Sequence, residues 1–235
     1  MASAFQGFPT EGLKFLRSLK RNNRREWFQP RKHIFEEQVR GPMLALVEAL
    51  NAELAKFAPD YVTDPKKAVF RIYRDTRFSK DKLPYKTNTS AVFRRRGTET
   101  GGFYFSVSPE EIEVAGGLYH SSPEVLLAVR TYIAETHPEL RRILARPKTK
   151  KLLGALRGDE LTRAPKGFDP DHPALDLIRK KDWLLDITLE PSIAATPDLY
   201  KEVVSRFRAM SDFVEYLNRP LLARKNATFP PEYHW

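Results

Sequence analysis

The chain has 235 residues, with 40 Lys and Arg against 30 Asp and Glu for a formal net charge of +10, a balance that favours nucleotides, phosphorylated metabolites, nucleic acid or anionic lipid as partners without selecting among them. Zero cysteines exclude disulfides, thiolate nucleophiles and zinc sites built on Cys, and 41% hydrophobic with 30% charged residues excludes wholesale disorder. The length fits one domain over residues 1–224, followed by a tail at 225–235.

Residues 1–20 hold no continuous apolar stretch, and no run approaches the roughly 18 apolar residues of a membrane span. A soluble cytoplasmic protein with no membrane partner is expected, and a bacterial origin fits. Thr10 is placed to cap a helix whose Leu13, Leu16 and Leu19 recur at spacing three, with Asn22-Asn23 as a left-handed stop. Pro30 and Pro42 suit first helical turns, and Leu46, Val47, Leu50 and Leu54 mark one apolar face.

The period then changes to two. Residues 69–73, 88–94, 103–107 and 112–115 read as short strands rich in β-branched and aromatic residues, and connections this short suit antiparallel neighbours. After Gly116-Gly117, Ser122-Pro123 opens a helix carrying Val125, Leu126, Val129 and Ile133, with shorter helical stretches from Pro138 to Leu156 and a long loop at 158–172. Trp183, Leu185, Ile187 and Leu189 alternate as a fifth strand. Thr196-Pro197 starts a long amphipathic helix carrying Leu199, Val203, Phe207, Met210, Phe213, Val214 and Leu217, which Pro220 should kink or end. The predicted class is α+β: an antiparallel sheet of about five strands packed by N-terminal and C-terminal helices.

The densest chemistry lies between Arg71 and Lys86. From Arg71 to Arg96 there are nine Lys or Arg and two Asp, a local charge of +7. On one extended strand, Arg71, Tyr73, Asp75 and Arg77 share a face, while Phe70, Ile72, Arg74 and Phe78 take the other. Asp75 is then two residues from both Arg71 and Arg77 and can hold either guanidinium in a bidentate geometry suited to phosphate or carboxylate recognition. Asp81 can orient Lys82 likewise, and Pro84-Tyr85-Lys86 brings back a phenol and another ammonium. The functional reading is an anion pocket with Arg71, Arg74, Arg77, Lys82, Tyr85 and Lys86 facing the ligand. The competing reading is a structural ion-pair network over the open face of the sheet, although exposed pairs contribute only about 0–1 kcal/mol each.

Asp75 and Asp81 are also the candidates for an acid/base pair or a Mg²⁺ site, but so many neighbouring cations compete with a metal and hold carboxylates ionised. Arg94-Arg95-Arg96 suits either a nucleic-acid backbone contact or a charged, protected strand edge, and the edge reading is favoured. The sparse histidines, His33, His120, His137, His172 and His234, form no recognised ligand set, so no metal is assigned. Tyr119-His120 follows a glycine pair that permits close backbone approach to a ligand or simply makes a turn. No nucleophile elbow, phosphate loop, dinucleotide fingerprint or His-Glu-x-x-His pattern occurs, and no cofactor is indicated.

The pattern Arg71-x-x-Arg74-Asp75-x-Arg77-Phe78-x-x-Asp81-Lys82-x-x-Tyr85 resembles the signature of the bacterial family called domain of unknown function 2461. The runs Asn22-Asn23-Arg24-Arg25-Glu26-Trp27-Phe28, Gly116-Gly117-Leu118-Tyr119 and Gly167-Phe168-x-x-x-His172-Pro173 look like further landmarks of it, so the resemblance spans roughly residues 5–220. It implies a single-domain unit and carries no established activity. Three expectations therefore enter the structure: a binder of a phosphate- or carboxylate-bearing small molecule, an enzyme acting on such a ligand through Asp75 or Asp81, and a basic module for nucleic acid or an acidic protein.

Overall fold

The computed structural model describes residues 5–77, 79–95 and 100–223. The tail expected at 225–235, together with Phe78 and Arg96, lies outside the described residues. By its contacts the chain forms two compact units, one drawn from Met1–Arg94, Phe103–Ala115 and Asp186–Arg208, the other from Arg95–Gly102, Gly116–Leu185 and Ala209–Trp235.

In the first unit, helix α1 (Thr10–Arg21) buries Phe15, Leu16 and Leu19. Thr10 is its first residue, not its cap: Pro9 precedes it and no side chain bonds the first turn. Asn22 ends it without entering the left-handed region, at φ −132°. The chain re-enters helix as α2 (Arg25–Phe28), a 3₁₀ turn holding Pro30, α3 (Lys32–Phe35), a π turn at Glu36–Arg40 and α4 (Gly41–Phe57). A Cβ on Gly12 would lie 2.1 Å from the Gln38 carbonyl oxygen, so α1 meets the π turn backbone to backbone and only glycine fits. Helix α5 (Pro65–Ala68) is capped by Asp64, which accepts from the N–H groups of Lys66 and Lys67.

The sheet is antiparallel with four strands, β1 (Thr89–Arg94), β2 (Gly102–Val107), β3 (Ile112–Leu118) and β4 (Trp183–Leu189), in the order β1-β2-β3-β4. The α+β class stands with one strand fewer than expected. The missing one is Val69–Tyr73. Val69 makes a single bridge to Ala91, and Phe70 donates to the Ser90 carbonyl at 2.9 Å. The segment then pairs with the chain that follows it: Tyr73 bridges Tyr85, Arg74 N–H donates to Pro84 and Lys86 N–H to Ile72. Strand alternation would put Phe70 and Ile72 on one face; instead Ile72 is buried and Phe70 is 40% exposed. In the core of this unit, Phe93, Phe103 and Phe105 surround Phe207 of α9 (Asp198–Ala223), with ring centroids 5.6, 5.0 and 6.5 Å away.

The second unit holds α6 (Pro123–Ala145), capped by Ser122, together with α7 (Pro147–Leu153), α8 (Leu175–Ile178) and the end of α9. Neither interior proline breaks its helix: α6 runs through Pro138 and α9 through Pro220 to Ala223. A mid-helix proline costs about 3 kcal/mol, whereas Leu140 and Ile143 beyond Pro138 are both buried, at about 1.5–3 kcal/mol each. Packing past the proline therefore outweighs the lost hydrogen bond. Gly117, at φ +135°, lies so close to the Trp183 carbonyl that a Cβ would fall 2.0 Å from its oxygen. Buried Asn218 accepts from Gly101 N–H at 2.8 Å and donates to its carbonyl at 3.1 Å. Among the described residues no helix is long and apolar enough to cross a membrane.

Candidate functional site

The base of the basic segment is built into the helical layer of the first unit. Tyr85 is only 2% exposed and stacks on Phe28 with centroids 4.2 Å apart and rings 23° from parallel. Tyr73 meets the pair at 5.5 Å from Tyr85 and 6.4 Å from Phe28. Phe15, Leu16, Leu19, Phe35, Val39 and Ile72 complete this cluster. Asn23 clamps the segment from the side: its amide nitrogen donates to the Tyr85 carbonyl at 2.8 Å, and its amide oxygen accepts from Tyr85 N–H at 3.0 Å. Each peptide group so satisfied avoids a desolvation penalty of about 1–3 kcal/mol.

Tyr85 was expected to face a ligand. Its phenol instead lies in the cluster, hydrogen-bonded to Gln29 and pushed up from its ordinary pKa by burial. It is an anchor. Asn23 was read as a helix stop, and the only sequence signal for its clamp is its place beside the Trp27-Phe28 pair.

Above this base the ionic side chains pair locally. Arg77 donates through Nε at 3.0 Å and Nη2 at 2.7 Å to the two oxygens of Asp75, and its backbone N–H donates to the same carboxylate at 3.1 Å. The bidentate arrangement expected of Asp75 thus forms with Arg77 and not with Arg71. The hydrogen bonds from the Arg77 side chain and backbone hold the Asp75 carboxyl down to about 2. Asp81 does not orient Lys82. It accepts from Leu83 N–H at 2.9 Å and from the Arg74 guanidinium, and those bonds lower its pKa; the Lys82 ammonium reaches the Thr76 carbonyl at 2.8 Å. An Asp bonds most readily to the backbone two residues on, as both do here, and that geometry hands each carboxylate a guanidinium lying over the turn.

Arg71, Lys80 and Lys86 stand outside these hydrogen bonds, although the charge of Arg71 is felt by Asp75. Among the described residues, Arg71 and Lys86 make no side-chain hydrogen bond and no ion pair. Lys86 is half-buried with its ammonium 4.6 Å from the centroid of the Phe70 ring, and its pKa is lowered by burial and then by the charge of Arg71. Phe70 and Tyr73, on either side of Arg71 in sequence, are 40% and 42% exposed. Arg24, Glu26, Trp27 and Arg31 line a shallow, open groove in which the Arg31 guanidinium lies 4.8 Å over the Trp27 ring. That groove contains none of the cations of 71–86.

The other expected positions fall elsewhere. Arg94 ends the edge strand β1 and is exposed, and Arg95 pairs with Glu215 at 3.5 Å. The close approach permitted by Gly116-Gly117 is made to Met210 and the Trp183 backbone, while His120, at φ 51°, donates its N–H to Asp182 at 2.8 Å. His137 and His172 meet edge to face at 5.8 Å. Among the described residues no group of three or more His, Asp or Glu is arranged to hold a metal ion.

The loop, its Asn23 clamp and the Trp27-Phe28 anchor all fall within residues 11–216, which match the family model described as conserved hypothetical protein, DUF2461. The chain belongs to that family. No curated protein and no solved structure matches it. Two of the runs that carried the resemblance, 22–28 and 71–86, are thus one physical object in this DUF2461 chain. The first supplies the clamp and the stacking ring, and the second lies on them.

Proposed function

We propose that the chain binds a phosphate- or carboxylate-bearing small molecule at the basic loop, with Arg71 and Lys86 as the cations that meet the anion and Arg74, Arg77 and Lys82 as the surrounding positive rim. The observation that carries this reading is that the charge of Arg71 reaches Lys86 while, among the described residues, neither side chain donates to a carboxylate, Asp75 feeling Arg71 only through its charge. Two like charges close enough to act on each other raise each other's electrostatic energy, and an anion between them removes that penalty. The local pairing of Arg77 and Arg74 fits the same reading, because a guanidinium held by a carboxylate keeps further N–H donors in a set direction.

Catalysis by Asp75 or Asp81 gains nothing from the geometry. Both carboxylates are engaged by guanidinium groups and have lowered pKa values, which makes them weak bases near neutral pH.

Thermal melting against phosphate, pyrophosphate, nucleotides, sugar phosphates, dicarboxylates and short oligonucleotides at matched ionic strength tests the proposal. A ligand at about 100 times its dissociation constant stabilises by about 2.7 kcal/mol, a shift of roughly 5–10 °C for a chain of this size. The expected result is a selective shift that disappears in Arg71→Ala while the unliganded melting temperature is kept. A flat panel contradicts the proposal, and a shift only with oligonucleotides that falls steeply with salt assigns the surface to nucleic acid.

A further inference from the structure

A polar floor on the sheet continues from the Arg71 and Lys86 cations. On β2 the side chains of Phe103, Phe105 and Val107 are buried in the core, so Tyr104 and Ser106 take the opposite face. The Tyr104 phenol lies within reach of the hydroxyls of Ser106 and of Ser90 on β1. On β3, Glu113 lies between buried Ile112 and Val114 and therefore points to that same face, where its charge reaches Tyr104. Glu113 is half-buried, and burial, followed by the charges of Asp186 and Glu111, pushes its carboxyl up. Phe70 links this floor to the loop: its ring meets Tyr104 edge-on at 6.4 Å and takes the Lys86 ammonium at 4.6 Å.

This arrangement constrains the non-anionic part of a ligand. Glu113, with Asp186 and Glu111 near it, repels a second negative group, which disfavours dicarboxylates, bisphosphates and the continuous phosphates of a nucleic acid. The Tyr104 phenol and the Glu113 carboxyl supply both donors and acceptors for a polyol, with Ser90 and Ser106 buried beneath them, and the partly exposed Phe70 ring offers an apolar wall for its C–H face. We propose that the ligand is a phosphorylated sugar, its phosphate on Arg71 and Lys86 and its hydroxyl groups on Tyr104 and Glu113. The proposal rests on the anion-binding reading above and narrows it.

Isothermal titration of the full chain with inorganic phosphate, glucose 6-phosphate, ribose 5-phosphate and adenosine monophosphate separates the two. The expected result is a sugar phosphate binding about tenfold more tightly than inorganic phosphate, the gain of one or two good hydrogen bonds. Tyr104→Phe and Glu113→Gln should each narrow the advantage of the sugar phosphate over inorganic phosphate, with phosphate binding unchanged in Tyr104→Phe and no weaker in Glu113→Gln, which removes a negative charge. Intact phosphate binding also reports that the variants are folded, and Glu113→Gln serves alone if Tyr104→Phe does not fold. Equal affinity for phosphate and sugar phosphates, an advantage that survives both substitutions, or tighter binding of adenosine monophosphate overturns the sugar assignment and leaves the anion site standing. No binding of any probe overturns both.

Discussion

Tyr85 and Asp75 stand ten residues apart in one basic segment, yet opposite physics holds them. Tyr85 is buried, stacked on Phe28 and clamped through its backbone by Asn23, whereas Asp75 is exposed and bonded only to the arginine two positions on. Burial and hydrogen bonding make the first a determinant of stability, while solvent screening makes the second pairing weak. The family pattern thus mixes residues that build the platform with residues that present charge from it. Substitutions in the two halves should have separate consequences.

The largest effect is expected at the platform. Phe28→Ala removes a fully buried ring shared by Phe15, Phe35, Tyr73 and Tyr85, and denaturant unfolding should show a loss of about 3–5 kcal/mol. Asn23→Ala comes next. It leaves the Tyr85 N–H and carbonyl without their partner, and the same measurement should show a loss of about 1–3 kcal/mol. A loss near zero in either variant would merge the two halves and return the whole segment to surface chemistry.

A smaller effect of opposite sign is expected on the sheet. The carboxyl of Glu113 has a folded pKa above its unfolded value, so the folded state holds the proton more tightly and stability falls as pH rises from the unfolded pKa through the folded one. Glu113→Gln should raise the melting temperature at pH 7 and leave it unchanged near pH 3, where both forms are neutral. Weakening the proposed ligand site while stabilising the fold would mark Glu113 as retained for something other than stability.

The smallest effect belongs to Asp75. With its folded pKa at about 2 against an unfolded value of about 3.9, its contribution is fully present above the unfolded value and is lost as pH falls through the folded one. Carboxyl-carbon titration by NMR should find its midpoint near 2, and Asp75→Asn should lower the neutral-pH melting temperature only slightly, because the exposed pair is screened by solvent. A midpoint near the unperturbed value would mean that the Arg77 pairing does not persist in solution.

Much of the fold was legible because apolar periodicity reports burial directly: β2, β3, β4 and the α9 face of Val203, Phe207, Met210 and Phe213 follow it. Residues 69–73 defeated the same rule. Their apolar alternation is real, but only Val69 and Phe70 meet β1, and from Ile72 onward the pairing turns to residues 84–86, which local pattern does not record. Pro138 did not divide its helix and Pro220 did not end its own for a related reason, since a local penalty was outweighed by packing on the far side. At the site, the concentration of charge was visible, whereas its partition was not: that Tyr85 faces inward depends on contacts with the segment 22–28, about sixty residues earlier in the chain, and that Asp75 holds Arg77 and not Arg71 depends on a turn at 75–77 which an extended reading does not contain. Glu113 and Tyr104 carried only a faint signal, a polar residue alternating with core positions.

Joint binding of one anion by Arg71 and Lys86 is the step on which the proposed function rests. Its most direct test is NMR titration of the lysine side chains with and without inorganic phosphate at constant ionic strength. Lys86 should titrate below the ordinary lysine value, Arg71→Ala should raise its pKa, and phosphate should raise it saturably in the wild-type chain and not in Arg71→Ala. A Lys86 that titrates like an exposed lysine, or a phosphate response shared equally by all lysines, would contradict it.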